Sequence, residues 1–390
     1  MDRPVVQLDR KRANVLRSYR HPWVFSKGLA EKPDLPPGAL VRVVCGKDHL
    51  GWAFYHPRNS IGLRMISFEE RMPDRDFWRD RLRRALGLRK SALPGRSCYR
   101  LVHGENDGFP GLTADVYGPL LCIQVTTAGM ENLKAEMAEW MAEATGAAAV
   151  YERSEGHARN QEGLAPANGF LMGEVSLPIE IEERGLFYAV DPATGHKTGF
   201  YLDQTDQRAW VEAHSKGKRV LDLCCYSGGF TLSALRGGAA EVLSVDSSAP
   251  VLELLAKNIE RNGLATGKQR SHRADVFEFL KQNPDQTWDL VILDPPALAK
   301  SVRAEERARR AYRGLNRAAC GWVAEGGRLL TFSCSGVVAT ETFRQSVFLG
   351  VRDSGRDAVI VGRFGAGPDH PVHLCFPEGE YLKGLALYFY

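Results

Sequence analysis

The chain has 390 residues, of which 44% are hydrophobic and 25% charged, and its formal net charge is +4. A chain of this length predicts two or three domains, and its composition is that of a folded globular protein and not of a disordered one. It has no apolar run of the ~18 residues that a membrane-spanning helix needs, and its first residues lack the apolar segment of a secretory signal. We therefore expect a cytoplasmic protein, and the small net charge alone does not predict a polyanionic partner.

Eight cysteines are scattered along the chain, at positions 45, 98, 122, 224, 225, 320, 334 and 375. They form no CxxC pair and no cluster of cysteine and histidine at zinc-binding spacing. In a chain without a secretory signal, such cysteines are expected to be reduced thiols. The sequence therefore predicts neither disulfides nor a metal site.

Two different patterns divide the first 190 residues. Residues 1–70 contain short apolar runs broken by glycine and proline, such as LPPGALVRVVCG and HLGWAFYHP, which predict a small β-rich domain. Residues 71–190 begin with a charged helical stretch from Phe77 to Leu88 and then mix the strands LLCIQV and AAAVYE with the helical run NLKAEMAEWMAEA. This mixture predicts a central α+β domain.

Strand-like runs alternate with helix-like runs from about residue 218, within a third predicted domain of residues 191–390. RVLDLCC precedes FTLSALR, EVLSVD precedes VLELLAKNIERN, and WDLVILD precedes an arginine-rich helix and then GRLLTFSC. Such alternation is typical of βαβ units and predicts an α/β fold with a parallel, doubly wound sheet. Because ligands bind at the carboxyl ends of the strands in such a sheet, the residues just after each strand form the candidate site.

Acidic residues and two glycines mark these strand ends. The acids are Asp222, Asp246, Asp275 and Asp294. An acid at the end of the second strand, such as Asp246, can accept hydrogen bonds from ribose hydroxyls, and Asp275 would lie where an adenine amino group can be bound. The adjacent Gly228 and Gly229 in the first turn let the backbone approach a ligand closely. The pattern therefore predicts a nucleotide-like cofactor.

The residues of the turn after the first strand of the predicted sheet distinguish between possible cofactors. A dinucleotide site has glycines at G-x-G-x-x-G, but Cys224 and Tyr226 occupy the places of glycines here. The chain also has no Walker A pattern. A cofactor with ribose and adenine but no phosphate fits better, which predicts S-adenosylmethionine; an ordinary tight turn is the alternative. The residues predicted to bind the cofactor are Asp222, Tyr226, Gly228, Gly229, Asp246, Ser247, Asp275, Val276 and Asp294.

Cys334 follows the fifth strand, in FSCSG, and would lie beside the Asp294 turn if the two strands are neighbours. An isolated cysteine is more often buried and structural, but a small polar loop at the rim of a cofactor pocket favours a nucleophile. Methylation of carbon 5 of a pyrimidine needs a nucleophile, because its attack on carbon 6 activates carbon 5, whereas a nitrogen has its own lone pair. We predict Cys334 and Asp294 as catalytic residues, with Asp294 placed to hydrogen-bond or protonate cytosine N3.

The motifs DLCCYSGGF, VLSVDSS, LDPPALAKS and LLTFSCSG together resemble the bacterial large-subunit ribosomal RNA cytosine-C5 methyltransferases of the RlmI type. The resemblance extends to GHKTGFYLDQTDQR, RLVHGENDGFPGLTADVYG, DHPV and PEGEYLKG, and to HPWVFSKG and NSIGLRMIS near the N-terminus. It therefore covers nearly the whole chain, and its long central motifs are specific.

The resemblance implies an N-terminal PUA domain, a central α+β domain and a class I methyltransferase domain, with 23S ribosomal RNA as substrate and Cys334 as nucleophile. It adds Lys197 and Gln204 to the cofactor contacts. Ala297 stands where many RNA cytosine-C5 methyltransferases carry a second cysteine, so product release would use another group. The letters CC in DLCCYSGGF and the run TDQR depart from the family's more usual Phe-Ala and R-x-N-R, which affects the expected cofactor contacts and not the class.

An arginine-rich helix, Arg303–Arg317, follows the Asp294 turn, where its side chains could hold phosphates that flank a target base. A solvated helix face is the alternative for such a cluster. Tyr312 and His370 are each expected to be structural, the alternative being a contact with the target base.

Other functions stay open at this point. The same cofactor site could methylate a nitrogen on RNA or protein without a nucleophile, or belong to a non-catalytic RNA-binding factor with a relict pocket. Thiolate chemistry would act on uracil as well as on cytosine. The sequence does not predict the oligomeric state, for which a homodimer is one alternative, or the base that removes the carbon 5 proton.

Overall fold

A computed structural model describes residues 3–264, 267–282, 284, 286–299 and 301–390. The chain forms two compact units, and neither is contiguous in sequence. The first unit consists of Met1–Ile181, Val190–Leu202 and Pro368–Gly379, and the second of Glu182–Ala189, Asp203–Gly367 and Glu380–Tyr390.

The N-terminal part of the first unit is a five-stranded sheet with one helix. Its elements are β1 (Val5–Gln7), α1 (Arg10–Tyr19), β2 (Trp23–Phe25), β3 (Ala39–Cys45), β4 (Asp48–Tyr55) and β5 (Ile61–Ser67). The strand order is β1-β3-β4-β5-β2, with β1 parallel to β3 and the other pairs antiparallel. Helix α1 begins where the Asp9 carboxylate accepts the amide hydrogen of Arg12 at 2.8 Å. The expected β-rich N-terminal domain is confirmed.

A second five-stranded sheet forms the central part of the first unit. Its elements are α2 (Arg75–Ala92), β6 (Cys98–His103), β7 (Leu112–Tyr117), β8 (Leu120–Val125), α3 (Ala128–Glu131), α4 (Lys134–Thr145), β9 (Ala149–Ser154), α5 (His157–Gln161) and β10 (Ala167–Met172). The strand order is β10-β9-β8-β7-β6. Helix α2 is longer than the predicted stretch, because Asp74 caps it at 2.8 Å from the amide nitrogen of Phe77 and helical residues continue past Leu88 to Ala92.

Two further segments, Val190–Leu202 and Pro368–Gly379, have their contacts in the first unit. Thr198 donates a hydrogen bond to the Asp115 carboxylate, and the Asp369 carboxylate accepts the amide hydrogen of Arg100 at 2.9 Å. Most of both segments falls within residues 191–390, the range predicted as the third domain. The limits of all three predicted domains stay predictions.

The second unit is built on a seven-stranded sheet covered by helices. A hairpin of β11 (Ile179–Glu183) and β12 (Leu186–Val190) precedes it in the sequence. Its own elements are α6 (Thr205–His214), β13 (Arg219–Leu223), α7 (Gly229–Arg236), β14 (Glu241–Asp246), α8 (Ala249–Arg261), β15 (Gln269–Arg273), α9 (Val276–Leu280), β16 (Trp288–Leu293), α10 (Glu305–Cys320), β17 (Val323–Ser333), α11 (Thr340–Asp353), β18 (Ala358–Phe364) and β19 (Lys383–Phe389). The predicted α/β fold is confirmed.

The order of this sheet is β15-β14-β13-β16-β17-β19-β18. Strands β13 to β17 are parallel, whereas β19 is antiparallel to both β17 and β18. The central strands β13 and β16 are buried on both faces, as their continuous apolar runs predict. The pairing of β16 with β17 brings the loops after these two strands to one edge of the sheet, which satisfies the condition set for Cys334 and Asp294.

None of the eight cysteines, all of them in the described part of the chain, forms a disulfide. Within the described ranges, no helix is long and apolar enough to cross a membrane.

Candidate active site

The turn after β13 has an uncommon backbone conformation. Cys224 and Tyr226 have positive φ angles of 64° and 46°, and Gly228 has a φ of 90°. For residues other than glycine this region costs about 1–3 kcal/mol each, and such strain is concentrated at functional sites. Asn258 of α8 stabilises the turn, because its Nδ2 donates to the carbonyl oxygen of Ser227 at 3.0 Å. The turn is therefore held in one shape by its neighbours.

The two predicted glycines have different surroundings. A Cβ atom on Gly228 would lie 2.1 Å from Cδ1 of Leu255, so no side chain fits there. A Cβ atom on Gly229 would lie 3.0 Å from Cδ of Arg208, at the far part of a flexible side chain. The absence of a side chain at residue 228 therefore lets the turn before α7 lie close to Leu255 of α8.

Asp222 is fully buried near the end of β13. Its Oδ2 accepts a hydrogen bond from Oγ1 of Thr231 at 2.7 Å, and Thr231 also contacts Oγ of Ser244 at 2.7 Å. Its Oδ1 has no hydrogen-bond partner among the described residues. Burial raises the pKa of Asp222 to about 7, and the negative charge of Asp246 adds to the effect. A buried carboxylate oxygen of this kind is suited to a ligand that brings a donor or a positive charge.

Four of the predicted acids surround one thiol. Burial raises the pKa of Cys224 well above its usual value, and the charges of nearby carboxylates raise it further. In decreasing order of effect these carboxylates belong to Asp294, Asp246, Asp222 and Asp275. The structure thus brings together the acids that stand far apart in the sequence, because β13 pairs with both β14 and β16.

Asp246 stabilises the turn after β13 and is also partly exposed. Its Oδ2 accepts the amide hydrogen of Tyr226 at 3.1 Å, and its Oδ1 accepts that of Ser248 at 3.0 Å. The residue is half-buried, and the following Ser247 is exposed. Both are therefore accessible to a ligand at this strand end.

Asp275 is exposed and caps helix α9. Its Oδ1 accepts the amide hydrogens of Phe277 at 2.9 Å and Glu278 at 3.2 Å. Val276 is buried in the core of the second unit, whereas 39% of Phe277 is exposed. A ligand can therefore reach the side chains of Asp275 and Phe277, whereas that of Val276 is not accessible.

Gln204 contacts a predicted catalytic residue directly. Its Nε2 donates a hydrogen bond to Oδ2 of Asp294 at 3.0 Å, and its own Oε1 accepts none among the described residues. The side chain of Gln204 is buried, and Asp294 is half-buried. Gln204 therefore orients the Asp294 carboxylate, a contact that the sequence pattern did not indicate.

Two other predicted residues lie in the first unit. Lys197 is exposed, and its Nζ lies 4.3 Å from the centre of the Tyr201 ring. His370 is buried and forms a hydrogen bond of 2.9 Å with Asp369, in keeping with its expected structural role.

Cys334 occupies the loop after β17. Its Sγ lies 3.9 Å from the carbonyl oxygen of Pro295, in the turn that Asp294 begins, and the residue is half-buried. Tyr312 of α10 is fully buried beneath the loop, with its hydroxyl 2.9 Å from Oγ of Ser333 and 3.0 Å from Oγ of Ser335. The expected structural role of Tyr312 fits this position. Serines on both sides of Cys334 thus anchor the loop and leave the cysteine at its surface.

Lys383, the first residue of β19, also holds this loop. Its Nζ donates hydrogen bonds to the carbonyl oxygens of Ser335 at 2.8 Å and Val338 at 2.7 Å. Only 3% of the residue is exposed. Sequence analysis did not select it, because a lysine at the start of the run KGLALYF is an ordinary strand boundary. The antiparallel placement of β19 beside β17 is what brings it to Cys334.

Five of the six arginines of α10 and the turn before it fall into two groups. Arg309 pairs with Glu306 at 2.9 Å, and Arg313 pairs with Asp353 at 2.5 Å. The exposed Arg303, Arg307 and Arg310 form no hydrogen bond or ion pair with any other described residue. Arg307 and Arg310 lie on the helix face opposite its buried residues. Gly314 lies on the same face, and a Cβ atom there would meet open space.

Family models match both parts of this architecture. Residues 99–346 match the S-adenosylmethionine-dependent methyltransferases, and residues 6–68 match a PUA-like domain. The fold and the acids at the strand ends thus define an S-adenosylmethionine-dependent methyltransferase with an N-terminal PUA-like domain. The predicted cofactor, S-adenosylmethionine, is confirmed.

Comparison with curated relatives identifies the family within this class of methyltransferases. The chain is 41% identical over 375 residues to ribosomal RNA large subunit methyltransferase I of Shewanella denitrificans, with 94% of each chain covered. It is 40% identical over 380 residues to the protein of the same name from Photobacterium profundum, with 95% of each covered. The chain therefore belongs to the ribosomal RNA large subunit methyltransferase I family, as the motifs predicted.

Solved structures share the fold over the whole chain. A putative S-adenosylmethionine-dependent methyltransferase from Streptococcus mutans superposes with a TM-score of 0.85, covering 99% of this chain and 100% of that one at 21% identity. SMU.776, a putative methyltransferase in complex with SAH, gives a TM-score of 0.86 with the same coverage and identity. At this identity the likeness shows the fold alone.

The residues present fit S-adenosylmethionine. Asp222 offers a buried carboxylate oxygen with no described partner, and that oxygen suits the cationic part of the cofactor. Asp246 and Asp275 are acids at neighbouring strand ends that a ligand can reach. Gly228 keeps the turn free of a side chain.

Proposed function

We propose that this protein transfers a methyl group from S-adenosylmethionine to carbon 5 of a cytosine in large-subunit ribosomal RNA, through a covalent bond to Cys334. The proposal has two supports. The curated relatives bear the name ribosomal RNA large subunit methyltransferase I. A half-buried cysteine lies 3.9 Å from the Pro295 carbonyl, beside the acid Asp294, and this second observation carries the covalent mechanism. Work on ribosomal RNA fits a cytoplasmic location.

The chemistry requires one nucleophile and one base. The Cys334 thiolate attacks carbon 6 of the cytosine, which forms an S–C6 bond and moves an electron pair to carbon 5. Bound S-adenosylmethionine supplies the electrophilic methyl group that carbon 5 accepts. A base then removes the carbon 5 proton, and the electron pair left behind restores the C5–C6 double bond as the S–C6 bond breaks. The thiolate is regenerated, so the enzyme is not consumed.

Asp294 and Gln204 act together in this proposal. In its protonated form, Asp294 donates a hydrogen bond to cytosine N3, which draws electron density from carbon 6 and favours attack there. Gln204, bonded to Oδ2 of Asp294 at 3.0 Å, fixes the orientation of the carboxyl group. Family resemblance predicted that Gln204 contacts the cofactor. We propose instead that Gln204 positions Asp294.

The cofactor would be held by the turn after β13 and the acids around it. We assign Asp222 to the cationic part, Asp246 to the ribose and Asp275 to the adenine. Tyr226, Gly228, Gly229, Ser247 and Val276 complete the predicted set. Lys197 stays a predicted contact from family resemblance alone.

The RNA backbone would meet the arginines that have no acidic partner. Arg303 and Arg307 follow the Asp294 turn within a few residues, and Arg310 continues the same exposed side. Unpaired guanidinium groups bind phosphates and release counterions. The open space over Gly314 leaves room for close approach of a backbone.

A covalent trap tests the mechanism. RNA that contains 5-fluorocytosine cannot lose the carbon 5 substituent as a proton, so the enzyme should remain attached to it after methyl transfer. We expect the wild type to give an RNA-linked band on a denaturing gel and Cys334→Ser to give none. On ordinary RNA, methylation by Cys334→Ser should fall by about 1,000-fold or more, as for other enzymes that lose their nucleophile.

Cys375→Ser is the matched control, because it removes another half-buried thiol far along the chain from the loop. It should trap and methylate like the wild type. Full methylation by Cys334→Ser would contradict the covalent mechanism and favour transfer to a nitrogen. If 5-methyluridine appears in place of 5-methylcytidine, the base assignment is wrong. If calorimetry detects no S-adenosylmethionine binding, the non-catalytic alternative is favoured.

A further inference from the structure

Lys383 is a buried lysine that contacts the loop of the proposed nucleophile. It is paired in register with Ser333, the last residue of β17, so its side chain starts one residue from Cys334. Its ammonium group donates to the carbonyl oxygens of Ser335 and Val338, at 2.8 and 2.7 Å. These two bonds use two of its three N–H donors, which leaves one for another acceptor.

The charge of this lysine needs a compensating anion. Burial of an ammonium group is costly unless an anion or several acceptors are nearby. No carboxylate in the described part of the chain forms an ion pair with Lys383. Burial lowers the pKa of Lys383 to about 8, and negative charge first on Cys334 and then on Glu380 opposes that effect. Cys334 is therefore the anion to which this lysine is most strongly coupled.

We propose that the ammonium group of Lys383 stabilises the thiolate form of Cys334 while its hydrogen bonds fix the loop that carries the sulfur. This inference rests on the proposed function, and it gives Lys383 a positioning and electrostatic role that acts through Cys334. The third N–H of the ammonium supplies the donor for the thiolate. Lys383 itself does not touch the pyrimidine.

Three other titratable groups face this pair. Tyr312 of α10 lies beneath the loop, Asp294 precedes the Pro295 carbonyl that Cys334 contacts, and Glu380 precedes β19. The two carboxylates disfavour a neighbouring thiolate, which makes the lysine the group that offsets them. The ion pair lasts only while Lys383 keeps its proton, so its effect on the Cys334 thiol is lost as the pH rises through about 8.

The test is the pH dependence of Cys334 alkylation by iodoacetamide, followed by peptide mass spectrometry that resolves each cysteine. In Lys383→Gln, which keeps a donor for the loop carbonyls but has no charge, the midpoint of Cys334 alkylation should rise by about one pH unit or more. Methylation near pH 7 should fall about tenfold or more. Lys383→Arg keeps the charge at all accessible pH values. It should restore a low midpoint and methylation near pH 7 close to that of the wild type.

Tyr312→Phe is the matched control for loop anchoring. It removes the hydroxyl that bonds to Ser333 and Ser335 but leaves the ammonium group, so any loss of activity should come without a change in the alkylation midpoint. An unchanged midpoint in Lys383→Gln would overturn the inference. Calorimetry with S-adenosylmethionine verifies that each variant is folded. If Lys383→Gln does not fold, Lys383→Met takes its place in the alkylation measurement, and a midpoint equal to that of the wild type would equally overturn the inference.

The two proposals fail separately. If the wild type forms no adduct with RNA that contains 5-fluorocytosine, the covalent mechanism is wrong, yet the alkylation midpoint still reports on Lys383. If the adduct forms but the midpoint does not depend on Lys383, the mechanism stands and the inference about the lysine is wrong.

Discussion

Replacement of Asp222 by asparagine should make the cofactor-free protein more stable while it weakens cofactor binding. Asp222 is fully buried, one of its oxygens has no partner among the described residues, and burial raises its pKa from 3.8 to about 7. A carboxyl group kept in this state for a ligand reduces the stability of the empty protein. Asparagine has nearly the same shape and no charge, so it removes that effect.

The sign and size of this change in stability follow from the linkage between proton binding and folding. A carboxyl whose pKa is higher in the folded than in the unfolded chain contributes stability that is complete below the unfolded pKa and is lost as the pH rises through the folded pKa. A difference of about three pKa units corresponds to about 4 kcal/mol. Most of this loss, about 3 kcal/mol, falls between pH 5 and pH 8. A buried amide hydrogen without a partner offsets about 1–3 kcal/mol of the gain in the variant.

Denaturant unfolding of the cofactor-free protein at pH 5, 6, 7 and 8 measures this effect. The free energy of unfolding of Asp222→Asn, relative to wild type, should increase by about 3 kcal/mol from pH 5 to pH 8. Asp206→Asn, which changes an exposed carboxyl in the first turn of α6, is the control for the loss of one charge and should have a small effect. A pH-independent difference for Asp222→Asn would refute the reasoning. Calorimetry should show that the same variant binds S-adenosylmethionine at least about tenfold more weakly, since a charge-assisted bond is lost.

Two further predictions concern the RNA surface and the first turn. Replacement of Arg303, Arg307 and Arg310 by glutamine should lower the slope of log affinity against log salt for RNA by about 2, at about 0.7 per phosphate contact. The ion-paired Arg309 and Arg313, changed together, should leave the slope unchanged, and equal slopes for both sets would contradict the proposed surface. Gly228→Ala should abolish S-adenosylmethionine binding, because its Cβ would lie 2.1 Å from Leu255. Gly263→Ala has a similar φ of 65° but open space around its Cβ, so it should cost only about 1–2 kcal/mol of stability and keep binding.

The order of elements along the chain of the second unit was predictable because hydrophobic periodicity is a local property. The runs RVLDL and WDLVIL are continuous and apolar, and both became central strands of the sheet. The place of β19 between β17 and β18 was not predictable, since strand order depends on packing across the whole unit. For the same reason no local signal connected Lys383 with the loop of Cys334.

The side-chain partners of the candidate-site residues could also not be predicted from the sequence. Gln204 entered the prediction as a cofactor contact through family resemblance, and the structure bonds it to Asp294. The arginine cluster was predicted as one group, but among the described residues acids from α10 and α11 form ion pairs with Arg309 and Arg313 and not with Arg303, Arg307 or Arg310. In both cases the residue type was visible in the sequence, whereas its partner lies on another element.

The two cysteines at this edge of the sheet show why environment decides which thiol reacts. Both residues are half-buried, but burial followed by four carboxylates raises the pKa of Cys224, so it stays protonated and unreactive near neutral pH. Cys334 lies two strands further along, after β17, beside the buried ammonium group of Lys383, and its sulfur is the first of the two anionic groups that raise the pKa of this lysine. Alkylation should therefore separate them in one experiment, with Cys334 modified first. If Cys224 reacted faster, the electrostatic argument for the nucleophile would fail along with the role of Lys383.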